Sequence, residues 1–468
     1  MLRRPQRPGA CNLCWRTQSR QQPICAVVLE GTSLRQELAA QPTYADAFRC
    51  IGPACEDTCC QGWTVLIDQA TWEKYQQLPE SGLSSLIQAS TMRNPVSGNS
   101  GKPPLFATIR MNAKNQCPML TSDQLCGIQA ELGEQMLSHA CHTYPRIVNS
   151  IRGMRETALT LSCPEGARLV LLTPDLRTLN PPDSAIPDPG ESAAPLPPEF
   201  WEIRTTVLGL IRNRAYPLWE RLFLLNILCL RLDSIARGDL KESAAEFLAG
   251  FQDSVAGGTL RTAIQSLPSD PTAQVDIVLR LAGLMLHKSN VRPRFVECVQ
   301  AFTTGIGNGP DATLQSLTAT YNAAHDRYFR PFFDRHPYIL ENYLVNTILR
   351  CQFPFGKEGV LAGAMPSISR EFALLTAQFT LMKGLLIGVA GSHREQFGAT
   401  HVIHTVQAAA KHFEHHPEFL SSAYNLLVES RMDGARGMAI LLRNTPTGQP
   451  SERATHIVPS LEVQAPHA

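Results

Sequence analysis

The 468-residue chain lacks a charge bias: 42 Lys and Arg stand against 41 Asp and Glu, for a formal net charge of +1. Nothing in that balance draws a polyanion or an acidic lipid surface, so no nucleic-acid partner is expected. An apolar h-region is missing behind the charges of "MLRRPQRPGACNLCWRTQSR", and with it the form of a secretory signal. Long apolar runs are missing too. "LFLLNILCL" at 222–230 is too short for a bilayer and "FALLTAQFTLMKGLLIGVAG" at 372–391 is broken by Gln378 and Lys383, so no membrane insertion is expected. Nor is there a glycine-rich turn between a strand and a helix. "TTGIGNGPD", with Gly305, Gly307 and Gly309, follows the helical-looking "RFVECVQAF" and reads as an ordinary loop, which argues against a Rossmann-like nucleotide-binding domain.

Cysteine is what the chain does have, unevenly. Eight of its fourteen cysteines fall between Cys50 and Cys163, and three in the 305 residues that follow. The stretch "CIGPACEDTCCQGW" alone carries Cys50, Cys55, Cys59 and Cys60. Without a secretory signal the expected compartment is a reducing cytoplasm, where dense cysteine means metal or redox chemistry rather than disulfides. Thiolates are soft donors suited to zinc and to iron–sulfur clusters, and a centre assembled from distant segments staples those segments together. Structural zinc prefers two short C-x2–4-C knuckles, yet this region offers one such pair, Cys55 with Cys59. The scatter of the rest suits a cluster pocket better, while buried free thiols without metal stay open as a reading. Adjacent Cys59 and Cys60 can serve one centre only where the backbone turns. Cys11 and Cys14 form a lone C-x-x-C, a weak signal.

Composition divides the chain. Residues 1–40 hold no acidic residue before Glu30 and show no periodicity, which predicts a disordered extension. Residues 41–175 combine the cysteines with short extended runs, "WTVLID" and "FATIRMN", and a helical run "GIQAELGEQMLSHA" in which Ile128, Leu132 and Met136 form one stripe. Residues 176–198 form a proline-rich linker. Residues 199–440 show apolar residues at three- and four-residue intervals between Gly and Pro breaks, as in "FWEIRTTVLGLIRNR" and "LWERLFLLNILCLRLDSIARG". The polar tail 441–468 is expected to be disordered. The expected fold is α+β and mostly helical: a small cysteine-rich, metal-stapled domain followed by a larger all-helical domain.

The ordered series "YADAFRCIGPACEDTCCQGW", "CPMLTSDQLC", "LSHACHTYPRI" and "TLSCPEGAR" resembles the flagellin lysine-N-methylase family, within a broader group of CxxxCC-type domains described as zinc or iron chelators. The likeness is close over residues 42–170 and looser through the helical region, where "ENYLVNTILRCQFPFG" also looks family-like. It implies a protein lysine N-methyltransferase acting on flagellin, with S-adenosylmethionine as methyl donor and a [4Fe–4S] cluster, zinc being the alternative. Carried over by position, Cys50, Cys55, Cys59, Cys60, Cys117, Cys126, Cys141 and Cys163 are the candidate metal ligands. A cluster needs at most four of them, and Cys55, Cys59 and Cys60 with one later cysteine are favoured. A non-catalytic zinc- or iron-chelating module fused to a helical interaction domain is the competing reading.

Lysine methylation needs a neutral amine, although free lysine has a pKa of about 10.4. Tyr44, Glu56, Asp57, Glu341 and Tyr343 lie in the family-like motifs, each with an ordinary structural role as the simpler reading, and no base is assigned. The C-x3-C-x2-C motif of radical enzymes is absent, since the cysteine after Cys59 is adjacent. Polar and radical transfer both stay open, and since a nitrogen lone pair needs no radical to accept a methyl group the chemistry favours polar transfer, with the cluster binding or orienting the donor. His412 and His416 sit at i, i+4, but Pro417 follows at once and a solvated helix end is expected.

Overall fold

The computed structural model describes residues 41–94 except 43; 106–180 except 152, 153, 175, 177 and 178; 196–286; 292–356; and 367–444 except 415 and 416. The N-terminal extension with Cys11 and Cys14, most of the proline-rich linker, the tail beyond Asn444 and His416 lie outside them, whereas Leu441 and Leu442, expected in the disordered tail, end a helix with their side chains buried.

Three short strands, β1 (Leu66–Ile67), β2 (Thr91–Arg93) and β3 (Ala107–Ile109), form an antiparallel sheet of order β1-β3-β2. Leu66 faces Thr108 and Met92 faces the same residue from the other side. Two helices, Gln69–Gln76 and Gly82–Ser90, pack beside it. The Asp68 carboxylate accepts from the Thr71 N–H to start the first, and Ser81 and Ser84 cap each other to start the second. Val65, Ile67, Tyr75, Ile87, Ala107, Ile109, Met119 and Ile128 bury a small core of their own. The expected helix over 127–140 is not continuous. A π-turn at Ile128–Leu132 meets Gly133 at φ 88° and gives way to a 3-10 turn and a helix at His139–Thr143. Gly133 breaks the rod because the backbone there is left-handed. Ile128, Leu132 and Met136 still pack on the same core.

A second, larger core runs through the helices and takes in two segments that precede the proline-rich stretch. One is Tyr44–Phe48. The other is the hairpin β4 (Arg146–Ile151) and β5 (Met154–Leu159) with the helix α1 (Pro164–Leu172). The sequence shows why: "TALTLSCPEGARLVLL" is almost wholly apolar or small, and such a strand and helix must be covered on both sides. Helices α2 (Phe200–Arg212), α3 (Leu218–Ala236), α4 (Pro271–Leu286), α5 (Pro293–Gly305), α6 (Tyr338–Cys351), α7 (Ile368–His393) and α8 (Ala399–Phe413) complete this body with shorter helices between. Side chains of α6 pair with the hairpin as a neighbouring strand would. Asn346 donates to the Leu159 carbonyl at 2.8 Å and accepts from the Leu159 N–H at 3.0 Å and the Tyr44 hydroxyl at 2.8 Å. Arg204 of α2 reaches the hairpin's Glu156 at 2.9 Å, both buried.

From Phe372 to Ala390, α7 is buried on every side and apolar but for a few polar side chains, as a helix surrounded by protein requires. It is long and apolar enough to cross a bilayer, and its apolar window is entirely covered by the chain. Lys383 neutralises its own burial by donating to the Leu441 and Leu442 carbonyls at 3.2 and 2.9 Å, the open end of the helix Ala435–Leu442. Helix α5 crosses α7 at glycines: a Cβ added to Gly305 would overlap the Gly388 carbonyl, and one on Gly391 would press on the Gly305 carbonyl. Gly305 is therefore a packing glycine of the loop-like "TTGIGNGPD", and Gly307 supplies the turn after it at φ 74°. Gly305→Ala should lower unfolding free energy in urea by about 3 kcal/mol, because the two backbones have no room to part without unpacking α7. A loss under about 0.5 kcal/mol would show that the crossing is loose.

A thiol-lined cavity docked on the helical body

The loop Cys55–Trp63 turns sharply enough that adjacent Cys59 and Cys60 line one cavity. The Thr58 hydroxyl accepts from the Cys60 N–H at 3.1 Å, and the Trp63 indole N–H returns to the Cys59 carbonyl at 2.7 Å. A short ladder then brings in the next cysteine: the Cys117 N–H donates to the Cys60 carbonyl at 2.8 Å, and Gly62 donates to Asn115 at 2.9 Å. Leu120 bridges Cys126, and the Ser138 cap of the helix His139–Thr143 presents Cys141. Five thiols from three segments thus meet: Cys59, Cys60, Cys117, Cys126 and Cys141. The remaining wall is Trp63, Val65, Tyr75, Ile109, Ile128, Leu137 and Tyr144 with the polar Gln129 and Ser138, and no charged side chain. The cavity holds about 60 Å³.

Three of the eight candidate cysteines do not line it. Cys163 caps α1, its sulfur accepting from the Gly166 N–H at 3.4 Å, and lies near Cys55 and Cys59. Cys55 is half-buried and Cys50 exposed. All the described cysteines are free thiols. Cys229 is buried in α3, and Cys298 in α5 lies 3.6 Å from the His404 ring.

The thiols differ in acidity. The neighbouring Cys60 thiol, with help from the backbone N–H groups of Gln129 and Ile128, lowers Cys126 to about 6, and the same neighbour holds Cys59 below the usual thiol range. Burial pushes Cys117 up to about 11 and Cys141 to about 12. A wall of soft sulfur with no competing cation suits a thiophilic metal or cluster, whose positive charge would drive off the remaining protons. As placed, no three or more His, Cys, Asp or Glu side chains among the described residues form a closed metal-ligand set. Metal stapling, expected from the sequence, thus has a matching donor surface but no preformed cage.

The helical body grips this loop. Lys411 on α8 donates to the Asp57 carboxylate at 2.7 Å and to the Thr58 carbonyl at 2.7 Å. Gln407, one turn earlier, donates to Asp57 at 2.7 Å and to the Ser162 carbonyl at 2.9 Å. Burial alone would raise the Asp57 carboxyl, but the Lys411 charge and these hydrogen bonds outweigh it and hold it below the carboxylate range. From the start of α5, Arg292 donates to the Gln61 and Gly62 carbonyls at 3.1 and 2.7 Å, and Arg294 to the Glu56 carbonyl at 3.0 Å. Gly62, at φ 83°, leaves the space the Arg292 guanidinium fills.

The polar residues weighed as bases have structural partners. Tyr44 donates to Asn346, Glu56 pairs with Arg168 at 2.8 Å, and Glu341 pairs with Arg214 and Arg221 at 2.9 and 2.8 Å. Tyr343 is buried within α6. His412, expected at a solvated end, is instead buried, stacked on Phe295 at 4.8 Å with Nε2 2.9 Å from the Met285 carbonyl. Sequence reading missed Arg292, Arg294, Gln407 and Lys411, since nothing local marks a cation or amide whose partner lies hundreds of residues away.

Fold and site together define a helical-bundle protein carrying a thiol-lined cavity in a small N-terminal cap. Residues 204–441 match the FliB lysine N-methylase C-terminal domain, and the chain belongs to that family. It is 25% identical over 279 residues to the lysine-N-methylase of Salmonella choleraesuis, covering 57% of this chain and 67% of that protein, and equally to the lysine-N-methylase of Salmonella typhimurium. It is also 29% identical over 147 residues to the flagellar biosynthetic protein FliU of Salmonella muenchen, covering 31% of this chain and 84% of that protein. No solved structure matches.

Proposed function

We propose that this chain transfers methyl groups from S-adenosylmethionine to lysines of flagellin in the cytoplasm, with an iron–sulfur cluster held at the thiol-lined cavity. The convergence of Cys59, Cys60, Cys117, Cys126 and Cys141 on one uncharged cavity carries this reading, alongside membership of a lysine N-methylase family and relatives named for flagellar biosynthesis. Four of these five suffice for a cubane cluster. Held by three of them, such a cluster would leave one iron open and supply a Lewis acid toward the donor.

The chain's own residues set the rest. Trp63, Tyr75 and Tyr144 exclude water around the sulfurs, and Asp57, Lys411 and Arg292 fix the loop that carries Cys59 and Cys60. The acceptor amine must be neutral to attack, and desolvation where the flagellin lysine is covered lowers its pKa. The amine lone pair then forms the new N–C bond as the methyl–sulfonium bond breaks. The sulfonium becomes a neutral thioether and the extra proton leaves to water. Anaerobically purified protein incubated with flagellin and S-adenosylmethionine should add mass in steps of one methyl group to flagellin lysines. A metal-loaded protein that binds flagellin and leaves its mass unchanged would favour the chelating-module reading.

A further inference from the structure

A separate pocket of about 610 Å³ opens between α5, the end of α7 and α8, against the loop that bears the cysteines. Its wall combines Glu56, Arg168, Arg294 and Glu297 with His401 and His404, over an apolar floor that includes Ala301, Val389 and Ile403. We infer that this pocket binds an amino-acid-bearing nucleoside of the S-adenosylmethionine type, and so is the methyl-donor site; the inference rests on the methyl-transfer reading above.

Size and charge carry it. The thiol-lined cavity, at about 60 Å³, has no room for a nucleoside. A cleft of about 310 Å³ between α2 and the helix Ala244–Ala256 has no charged side chain in its wall. The 610 Å³ pocket falls within the range of about 300–1,000 Å³ usual for small-ligand sites, and it presents charges of both signs. A zwitterionic amino-acid end needs that pairing, and with Glu56 and Arg168 bound to each other it falls to Arg294 for the carboxylate and the exposed Glu297 for the ammonium. A lysine side chain alone would leave most of the volume unfilled.

An aromatic cluster against which a base could lie closes one end of the pocket. His401 lies with its ring centroid 3.9 Å from that of His393 and stacks on Phe397 at 6.1 Å with 19° between planes. Burial and neighbouring positive groups hold His401 and His404 below the ordinary imidazole range, so near neutral pH they present uncharged rings. His404 Nε2 faces the Glu297 carboxylate at 3.5 Å. Position completes the case. Glu56 stands three residues before Cys59, so the shared loop keeps the pocket wall within about 11 Å of the cavity rim.

Calorimetric titration of S-adenosylhomocysteine, a stable product analogue, into the full chain tests this. Ala301→Trp fills the pocket and should abolish binding, Glu297→Arg should weaken it about tenfold, the worth of one charge-assisted hydrogen bond, and Thr205→Trp in the smaller cleft should leave it unchanged. Unaltered affinity in both pocket variants overturns the assignment and points to donor binding elsewhere. Should Ala301→Trp fail to fold by circular dichroism, Glu297→Arg decides alone, because its side chain is largely exposed and tolerates the change. A lysine-bearing flagellin peptide that loses affinity in these variants, while the nucleoside does not, would make this the acceptor site and overturn the donor assignment. Pocket-dependent nucleoside binding in a protein that leaves flagellin unmodified would sink the methyl-transfer reading and keep the pocket.

Discussion

Replacing Cys59 and Cys60 together by Ser should remove bound iron and sulfide and abolish methyl-lysine on flagellin, whereas Cys229→Ser should preserve both. The two neighbours occupy one wall of the thiol-lined cavity, and losing both removes every thiol that the Cys55–Trp63 loop brings to it, leaving Cys117, Cys126 and Cys141 on the other segments. Cys229 is buried among apolar side chains of α3 far along the chain and has no place in that wall. Serine keeps the shape and replaces soft sulfur by a hard hydroxyl, so the fold is a fair control: the circular dichroism of the helical body should persist in both variants. Metal analysis and mass spectrometry of flagellin from the same cells give the readouts. Full iron loading in the double variant would assign the centre to other cysteines, Cys55 and Cys163 first.

Lys411→Met should destabilise the protein by about 3–5 kcal/mol and release the cysteine loop, because it strands the Asp57 carboxylate in a half-buried position with its main counter-charge gone. Asp57→Asn added to Lys411→Met removes the orphaned charge and should recover more than half of that loss. Urea unfolding gives the energies, and hydrogen exchange of the amides from Cys55 to Gly62 reports the loop itself. Equal losses in the single and double variants would mean that the ion pair contributes little and that Arg292 and Arg294 hold the loop by themselves. The effect reaches the proposed chemistry through position alone: Lys411 touches no thiol in the cavity wall, yet it fixes the carbonyl of Thr58 immediately before Cys59.

The helical body was legible in outline because its signal is local. Apolar residues at three- and four-residue intervals in "FWEIRTTVLGLIRNR" and "LWERLFLLNILCLRLDSIARG" correspond to α2 and α3 nearly residue for residue. Strands were visible only as tendencies. "WTVLID" and "FATIRMN" shrink to two and three paired residues, because pairing depends on a partner elsewhere in the chain and not on propensity. That the hairpin β4–β5 and α1 bury themselves in the helical body was not visible either, since the side chains that receive them, Asn346 and Arg204, look like ordinary polar helix residues.

The candidate site was half legible. Eight clustered cysteines announce a thiol site, but spacing could not say that Cys117, Cys126 and Cys141 would join Cys59 and Cys60. That choice is made by a backbone bond from Cys117 to Cys60 and by the cap at Ser138. Cys55, favoured in the ligand set that the resemblance implies, lies outside the cavity wall because the loop turns after it, between Thr58 and Cys60. The Asp57–Lys411 contact joins residues 354 apart, and its meaning exists only in the folded chain.

The central claim, that the five-thiol cavity holds an iron–sulfur cluster, is tested most directly by purifying the chain without oxygen and measuring its metal, its sulfide and its spectrum. A cubane cluster predicts about four iron and four sulfide per chain and a brown protein absorbing broadly near ~400 nm. A colourless protein carrying a single tightly held zinc and no sulfide would contradict it.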